Sequence, residues 1–328
     1  MAVTDTTAAM VGTTGVAAAM VGATAAVAAM AAAAVVEAVA VAPVGKTCAA
    51  SFAPEVAALG VGLGFRPSFR ADLFRQRAQV DFLEITADHY FNAPPEKLDE
   101  LDLLAAHFPL IPHGLDLSLG SAEGIDPRYL DQFARLIKRI SPPWWSEHLA
   151  FTRAGGVSIG HLAALPCTHE ALDAVVRNVE AVRRVVDIPL ILENITATVR
   201  VPGGVMDEAA FLTEVLRRTG CGWLCDVTNL YTNAVNRGAD LDCELDRWPW
   251  DRVVQMHFAG GHWRDGILID SHAYPTSPEV WRLLDEAVAR SSVKGIILER
   301  DENLPAFGDL VDELARARVI GSHHGRWH

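Results

Sequence analysis

The sequence lacks paired cysteines. Its five, Cys48, Cys167, Cys221, Cys225 and Cys243, form an odd and scattered set without a CxxC pair, which excludes a disulfide framework and a structural zinc site of the usual spacing. A reducing cytoplasm is the expected setting, and Cys221 and Cys225, four apart on one strand face, read as packing residues. Positive charge is also short: 28 Lys and Arg stand against 41 Asp and Glu, a formal charge of −13. That leaves no footprint for a phosphate backbone, so no nucleic-acid partner is expected, whereas bound cations are favoured. A dinucleotide fingerprint is missing too. "GVGLG" at 60–64, with Glu84 twenty residues after Gly64, imitates one, but its glycine spacing is one residue short and Phe65-Arg66-Pro67 opens no helix.

What is present divides into two parts. Residues 1–50 run "AAMVGTTGVA", "AAMVGATAAV" and "AAMAAAAVVE" at a ten-residue period, with no charge between Asp5 and Glu37. Ala, Gly and Thr carry little transfer energy and no Lys or Arg precedes the run, so a membrane role and a secretory signal are both disfavoured. These residues are expected to form a disordered or loosely helical tail outside the fold, or to follow from a start site placed too far upstream. Residues 51–328 are read as one domain, and with half the chain hydrophobic a large core is available.

In that domain short apolar runs alternate with segments of helical period. The runs are 59–65, 80–86, 108–114, 143–149, 188–194, 222–227, 252–258 and 295–300. Helices are expected between them, with start signals at Pro94-Pro95, Asp126-Pro127 and Thr168 with Glu170. Eight βα units in about 270 residues predict an α/β fold, a (β/α)8 TIM barrel. Chemistry in such a barrel sits at the C-terminal strand ends. There the chain has Asp88 and His89, His113, Glu147 and His148, Glu193 and Asn194, Asp226, His257 and Glu299. So many carboxylates at one mouth repel one another unless cations neutralise them.

"HFAGGHWRDGILIDSH", residues 257–272, adds His262, Asp265, Asp270 and His272 after the seventh strand. Imidazole with carboxylate is the donor set for iron, manganese or zinc. The metal-ligand candidates are His89, His113, Glu147, Glu193, Asn194, Asp226, Asn229, His257, Asp270, His272 and Glu299. Glu147 is the candidate bridging carboxylate, and Asn194 reads as ligand or orienter. His262 and Asp265 are the candidate catalytic groups, with His262 as ligand or proton donor. Asp270 and His272, two apart, would share one face of an extended strand. Asp226 has a competing reading as the cap of the following turn. The C-terminal "SHHGRWH" is read as a mobile tail.

The motifs "HGLDLSLGSA", "SEHLAF", "LENIT", "TGCGWLCDVTNLYTNAVN", "MHFAGGH", "IDSH" and "ILERD" follow in order between residues 59 and 305. In these the chain resembles the multinuclear non-haem iron-dependent oxidative enzymes, the MbnB/TglH-like family. The resemblance implies a barrel holding two or three irons, which with dioxygen oxidises a residue, often cysteine, of a ribosomally made precursor peptide. It also implies a partner protein that binds the peptide leader. It supports His113, Glu147, Asp226, His257, Asp270, His272 and Glu299 as iron-site residues, with Glu193, Asn194 and Asn229 close by. The chain departs from the family at one point: Asp88-His89-Tyr90 stands where many relatives read Glu-Asn-Tyr. Two other functions fit the residues. One is a redox-neutral divalent-metal enzyme similar to xylose isomerases or endonuclease-type barrels; the other is a metal- or peptide-binding protein without turnover.

Overall fold

The computed structural model describes residues 56–197, 199 and 201–327, so the expected tail at 1–50 lies outside the described residues. Strands form where the apolar runs were expected. β1 (Gly60–Gly64), β2 (Phe82–Thr86), β3 (Leu110–Gly114) and β4 (Trp145–His148) precede a hairpin of β5 (Phe151–Ala154) and β6 (Val157–Ala163). β7 (Leu190–Glu193), β8 (Gly222–Asp226) and β9 (Val253–Phe258) precede a second hairpin, β10 (Gly260–Arg264) and β11 (Ile267–Tyr274), and β12 (Gly295–Leu298) follows. Eight of them close a parallel barrel in the order β1-β12-β9-β8-β7-β4-β3-β2. The TIM-barrel expectation holds. The two hairpins were not anticipated; each follows a strand end and stands at the mouth. "GVSIG" at 156–160 has the letters of a GxSxG elbow, but it lies in the exposed first hairpin and not at a strand-to-helix turn.

Helices α1 (Arg70–Arg75), α2 (Pro95–Ala105), α3 (Pro127–Ile140), α4 (His169–Arg183), α5 (Glu208–Thr219), α6 (Val227–Arg237), α7 (Leu241–Glu244), α8 (Pro278–Arg290) and α9 (Phe307–His323) complete the units. Their starts follow the sequence: Asp126 accepts from the Arg128 amide with Pro127 in the first turn, and Thr168 accepts from the Ala171 amide. Each cap satisfies an amide that the helix itself leaves unpaired. The C-terminal segment is not a free tail. The Trp327 indole donates to the Arg318 carbonyl, and Arg326 donates to the carbonyls of Val288 and Ala289, tying it to α8 and α9.

Alternation along the strands builds the site. Phe82, Ile111, Trp144, Ile191, Leu224, Val254 and Ile297 fill the barrel floor, with Val56 and Leu59 packed on them. Two residues on, six of these strands present Glu84, His113, Ser146, Glu193, Asp226 and Glu299 on the same face. In β9 a register shift against β8 between Val253 and Gln255 turns Gln255 and His257 inward as well. The outer strand faces, including fully buried Cys221 and Cys225, pack in the helix layer. The polar layer therefore lies inside the closed barrel, above an apolar floor that shuts out water.

Candidate metal centre

The inner part of the site is a triangle. His113 Nε2 lies 3.2 Å from His148 Nε2 and 3.4 Å from Glu193 Oε2, and His148 Nε2 lies 3.3 Å from the same oxygen. Two N or O donors each about 2.1 Å from one ion stand about 3.0–3.4 Å apart, the range between octahedral and tetrahedral angles. The three edges match that spacing. Both rings are held from behind: the Gly114 carbonyl, 3.1 Å away, accepts from His148 Nδ1, and His113 Nδ1 lies 2.8 Å from Ser146 Oγ. Fixing one ring nitrogen is how a protein aims the other at a metal.

A second group shares Glu193. Its Oε1 lies 3.3 Å from His257 Nδ1, which is also 3.2 Å from Glu299 Oε2. With Asp226, donor atoms of these four buried residues lie within 4.8 Å of one another. His257 Nε2 donates to Glu84 Oε2 at 2.9 Å, and Gln255 donates to the same oxygen at 2.6 Å while accepting from the Trp144 indole. Glu84 thus orients His257, a role that sequence reasoning missed, since it weighed this residue only in the rejected dinucleotide pattern. Its inward position in β2 was the signal available. Asp226 has two roles, one per oxygen: Oδ1 caps α6 by accepting from the Asn229 amide at 2.8 Å, and Oδ2 has no protein partner.

Asp270 and His272 arrive from the hairpin. Gly260 pairs with Tyr274 and His262 with Ile269, so two steps along β10 oppose five along β11. The extra residues bulge out, and His272 takes φ +50°, a left-handed conformation that non-glycine residues rarely adopt. The bulge, and not a regular extended strand, brings His272 Nε2 to 2.9 Å from Asp270 Oδ1. A Cβ at Gly260 or Gly261 would overlap the carbonyl oxygens of Tyr274 and Ile269, which accounts for the glycine pair.

The charges at the mouth are strongly coupled. Burial, reinforced by Asp270, Glu193 and Glu299, pushes the Asp226 carboxyl well above the usual range. Burial opposes charge on His148, yet Glu193 and Glu147 outweigh it and raise its pKa to about 9. His257 and His272 are likewise raised well above normal against their burial, chiefly by Glu299. Burial also opposes charge on Glu299, but His257 and His272 hold it well below the ordinary range. Among the described residues nine buried side-chain polar atoms make no well-aligned hydrogen bond, although several lie within ion-pair distance of one another. Five converge here: Glu193 Oε2, Asp226 Oδ2, His257 Nδ1, Asp270 Oδ1 and His272 Nε2. Native interiors pair nearly all such groups, so a set of lone-pair donors left open at one mouth fits bound metal.

Several expected residues are placed elsewhere. Glu147 pairs in register with Gly114, one residue out of phase with the inward His113 and Ser146. A Cβ at Gly114 would sit 2.5 Å from its carboxylate and 2.7 Å from Phe133 of α3, so Glu147 faces the helix layer. There it accepts from the amides of His148 and Leu117. The inward residue is His148, and the carboxylate shared between donor groups is Glu193. Asn194 Oδ1 accepts from the Trp223 indole and the Asp226 amide, and its amide donates to the Asp226 carbonyl, so it staples β7 to β8. Asn229 donates to the Asn194 carbonyl and accepts from Thr196. His89 is exposed on a 3-10 turn after β2 and joins neither donor group. Asp265 is exposed at the hairpin tip, where Asp265 and Gly266, both at positive φ, form the two-residue turn between β10 and β11. His262 lies on β10 at 3.0 Å from Ser271 Oγ, with its ring against Tyr274.

A family model described as the RiPP precursor modification enzymes MbnB/TglH/ChrH matches residues 60–322, the whole barrel. The chain belongs to this family. A UPF0276 protein of Streptomyces avermitilis is 39% identical over 269 residues, 79% of this chain and 54% of that protein, so the chain spans about half of that relative's length. A UPF0276 protein of Caulobacter vibrioides is 36% identical over 269 residues, 81% of this chain and 96% of its own. Among solved structures, D-psicose 3-epimerase of Clostridium cellulolyticum H10, solved with D-tagatose, aligns with a TM-score of 0.51. Its identity is 10%, over 81% of this chain and 98% of that one, and the likeness is one of fold alone. No helix among the described residues is long and apolar enough to cross a membrane.

Proposed function

We propose that this member of the MbnB/TglH/ChrH family is an iron-dependent oxidase that uses dioxygen to modify a residue, in our reading a cysteine, of a ribosomally made peptide. The observation that carries the metal part is Glu193. One of its oxygens completes the His113–His148 triangle and the other faces His257, so a single carboxylate serves two donor groups. Two irons fit this arrangement, with the hairpin pair Asp270 and His272 as a further arm. Bound iron would supply what side chains lack, lowering the pKa of a substrate thiol, holding sulfur beside the oxidant and accepting electrons.

The chain's own residues hold the ligands in one orientation. Ser146, Gly114, Glu84 and Asp301 each fix one nitrogen of an inward-facing imidazole. His262, on the hairpin beside Ser271, is proposed to move protons at the mouth. A separate protein that binds the peptide leader belongs to the same reading, as does a cytoplasmic site of action.

Protein prepared without oxygen tests the proposal by metal analysis, Mössbauer spectroscopy and dioxygen consumption with candidate peptides. Two or more coupled irons per chain that react with dioxygen, with peptide oxidised in step, support it. Zinc, manganese or magnesium alone, without affinity for iron, would favour a redox-neutral enzyme. Iron that never turns over any peptide would favour a binding protein.

A further inference from the structure

The donors of the candidate centre are mounted in two ways. His113, His148, Glu193, Asp226 and His257 lie on barrel strands, and Glu299 directly follows β12. Asp270 and His272 lie in the hairpin bulge, with His272 in a left-handed backbone conformation. Such conformations are costly for a non-glycine residue and persist only where surrounding contacts over-determine them. The hydrogen-bonding contacts to His272 come from Asp301, itself held by Arg66, while Glu299 Oε2 lies 3.6 Å from His272 Nδ1. The Asp301 amide donates to the His272 carbonyl at 2.9 Å, and Asp301 Oδ2 lies 3.1 Å from His272 Nδ1. The other carboxylate oxygen, Oδ1, accepts from Arg66 Nη2, and Arg66 Nη1 donates to the Phe65 carbonyl at 2.8 Å. The chain of bonds therefore runs from the end of β1 through Arg66 and Asp301 to the ring of His272, and leaves His272 Nε2 beside Asp270 Oδ1.

We infer that Arg66 and Asp301 form a latch that positions His272, so that its ring joins the hairpin arm of the centre only while the latch is closed. The inference rests on the metal-centre reading above. Neither residue is a donor to the centre: both act through His272 and are positioning residues. The strand-mounted donors have their own backing groups, and Asp270 keeps its bond from Thr196, so opening the latch frees His272 and leaves the triangle of His113, His148 and Glu193 intact. The centre then holds metal at two strengths, one set by the barrel and one set by the docked hairpin.

The experiment is an anaerobic ferrous iron titration of the full chain, with bound iron counted by native mass spectrometry. Wild type is compared with Asp301→Ala, Asp301→Asn and Arg66→Ala, and with Leu314→Ala, a cavity in the buried face of α9 away from the centre. The expected result is that Asp301→Ala weakens the last-filled step by about 10–100-fold, the usual effect of removing a ligand's orienting partner, while the first step keeps its wild-type affinity. Asp301→Asn keeps an acceptor for His272 Nδ1 and restores most of the loss, and Leu314→Ala changes thermal stability without changing the iron count. Should Asp301→Ala fail to fold, Arg66→Ala carries the same test, since it removes the outer end of the latch. Identical stepwise affinities in wild type and folded latch variants overturn the inference alone; wild type that binds no iron overturns the metal-centre reading beneath it.

Discussion

Metal loading should expel protons. In the metal-free fold His148 is raised to about 9, His257 and His272 are raised well above the ordinary imidazole value, and burial with neighbouring carboxylates raises Asp226. His148 carries a proton at pH 7 and a metal takes only its deprotonated form, so at least one proton leaves per fully loaded chain, and the upward shifts of His257, His272 and Asp226 act in the same direction. Calorimetric titration of anaerobic protein with ferrous iron at pH 7, in two buffers of different ionisation enthalpy, measures that number. The sign is fixed: protons compete with metal, so affinity rises with pH, and the His148 contribution levels off above about 9. The same group acts oppositely on the metal-free fold. A raised imidazole pKa stabilises the folded state fully below the unfolded value near 6.5 and loses that contribution as pH rises through about 9, an effect on the order of 3 kcal/mol. Metal should therefore raise the melting temperature more at pH 8.5 than at pH 6. Binding heats that do not depend on the buffer, or release of less than one proton, would refute this account of the charges.

Four substitutions separate the roles argued above. His148→Ala removes a corner of the inner triangle and should abolish the tightest iron step in the titration. Glu147→Gln should keep the iron count but lower stability by about 1–3 kcal/mol in chemical denaturation, because an amide NH2 replaces an acceptor facing backbone amides. Glu84→Gln should weaken iron binding by about 10–100-fold through the orientation of His257, with the number of sites unchanged. Asp265→Asn should leave iron content, turnover and melting temperature as they are, within about 0.5 kcal/mol, because Asn also accepts the positive φ of the hairpin turn.

The eight strands were legible because each is buried on both faces and so reads as a short apolar run. Their polar ends marked the mouth for the same reason, since a barrel interior tolerates Glu193 or His257 only in company. What escaped was direction. "PWWSEHL" carries bulky residues on both faces, so nothing local tells whether Glu147 or His148 points inward; the register with Gly114 decides it. The β9 register shift inverts the parity that a regular strand would give His257, and it is set by the neighbour β8. The hairpin turn at Asp265-Gly266 had a local signature and was overshadowed by the ligand-like residues around it. The partners that occupy Asn194 and Asn229 come from other strands, at separations that no local pattern reveals.

Each inner donor comes from a different strand, and together they span residues 113 to 299. No short fragment of the chain contains the centre, and each donor group is complete only when its neighbouring strands have paired, β3, β4 and β7 for one and β7, β8, β9 and β12 for the other. Long-range parallel pairing of this kind forms slowly. On the proposed reading metal capture would follow strand pairing in each newly made chain and would act as a clasp: with an ion joining β3, β4 and β7, parting them would mean releasing it, with a stability gain that grows with free metal concentration. A cell short of metal would hold this protein in a looser and more readily degraded form, so its abundance, and not only its activity, would follow metal supply.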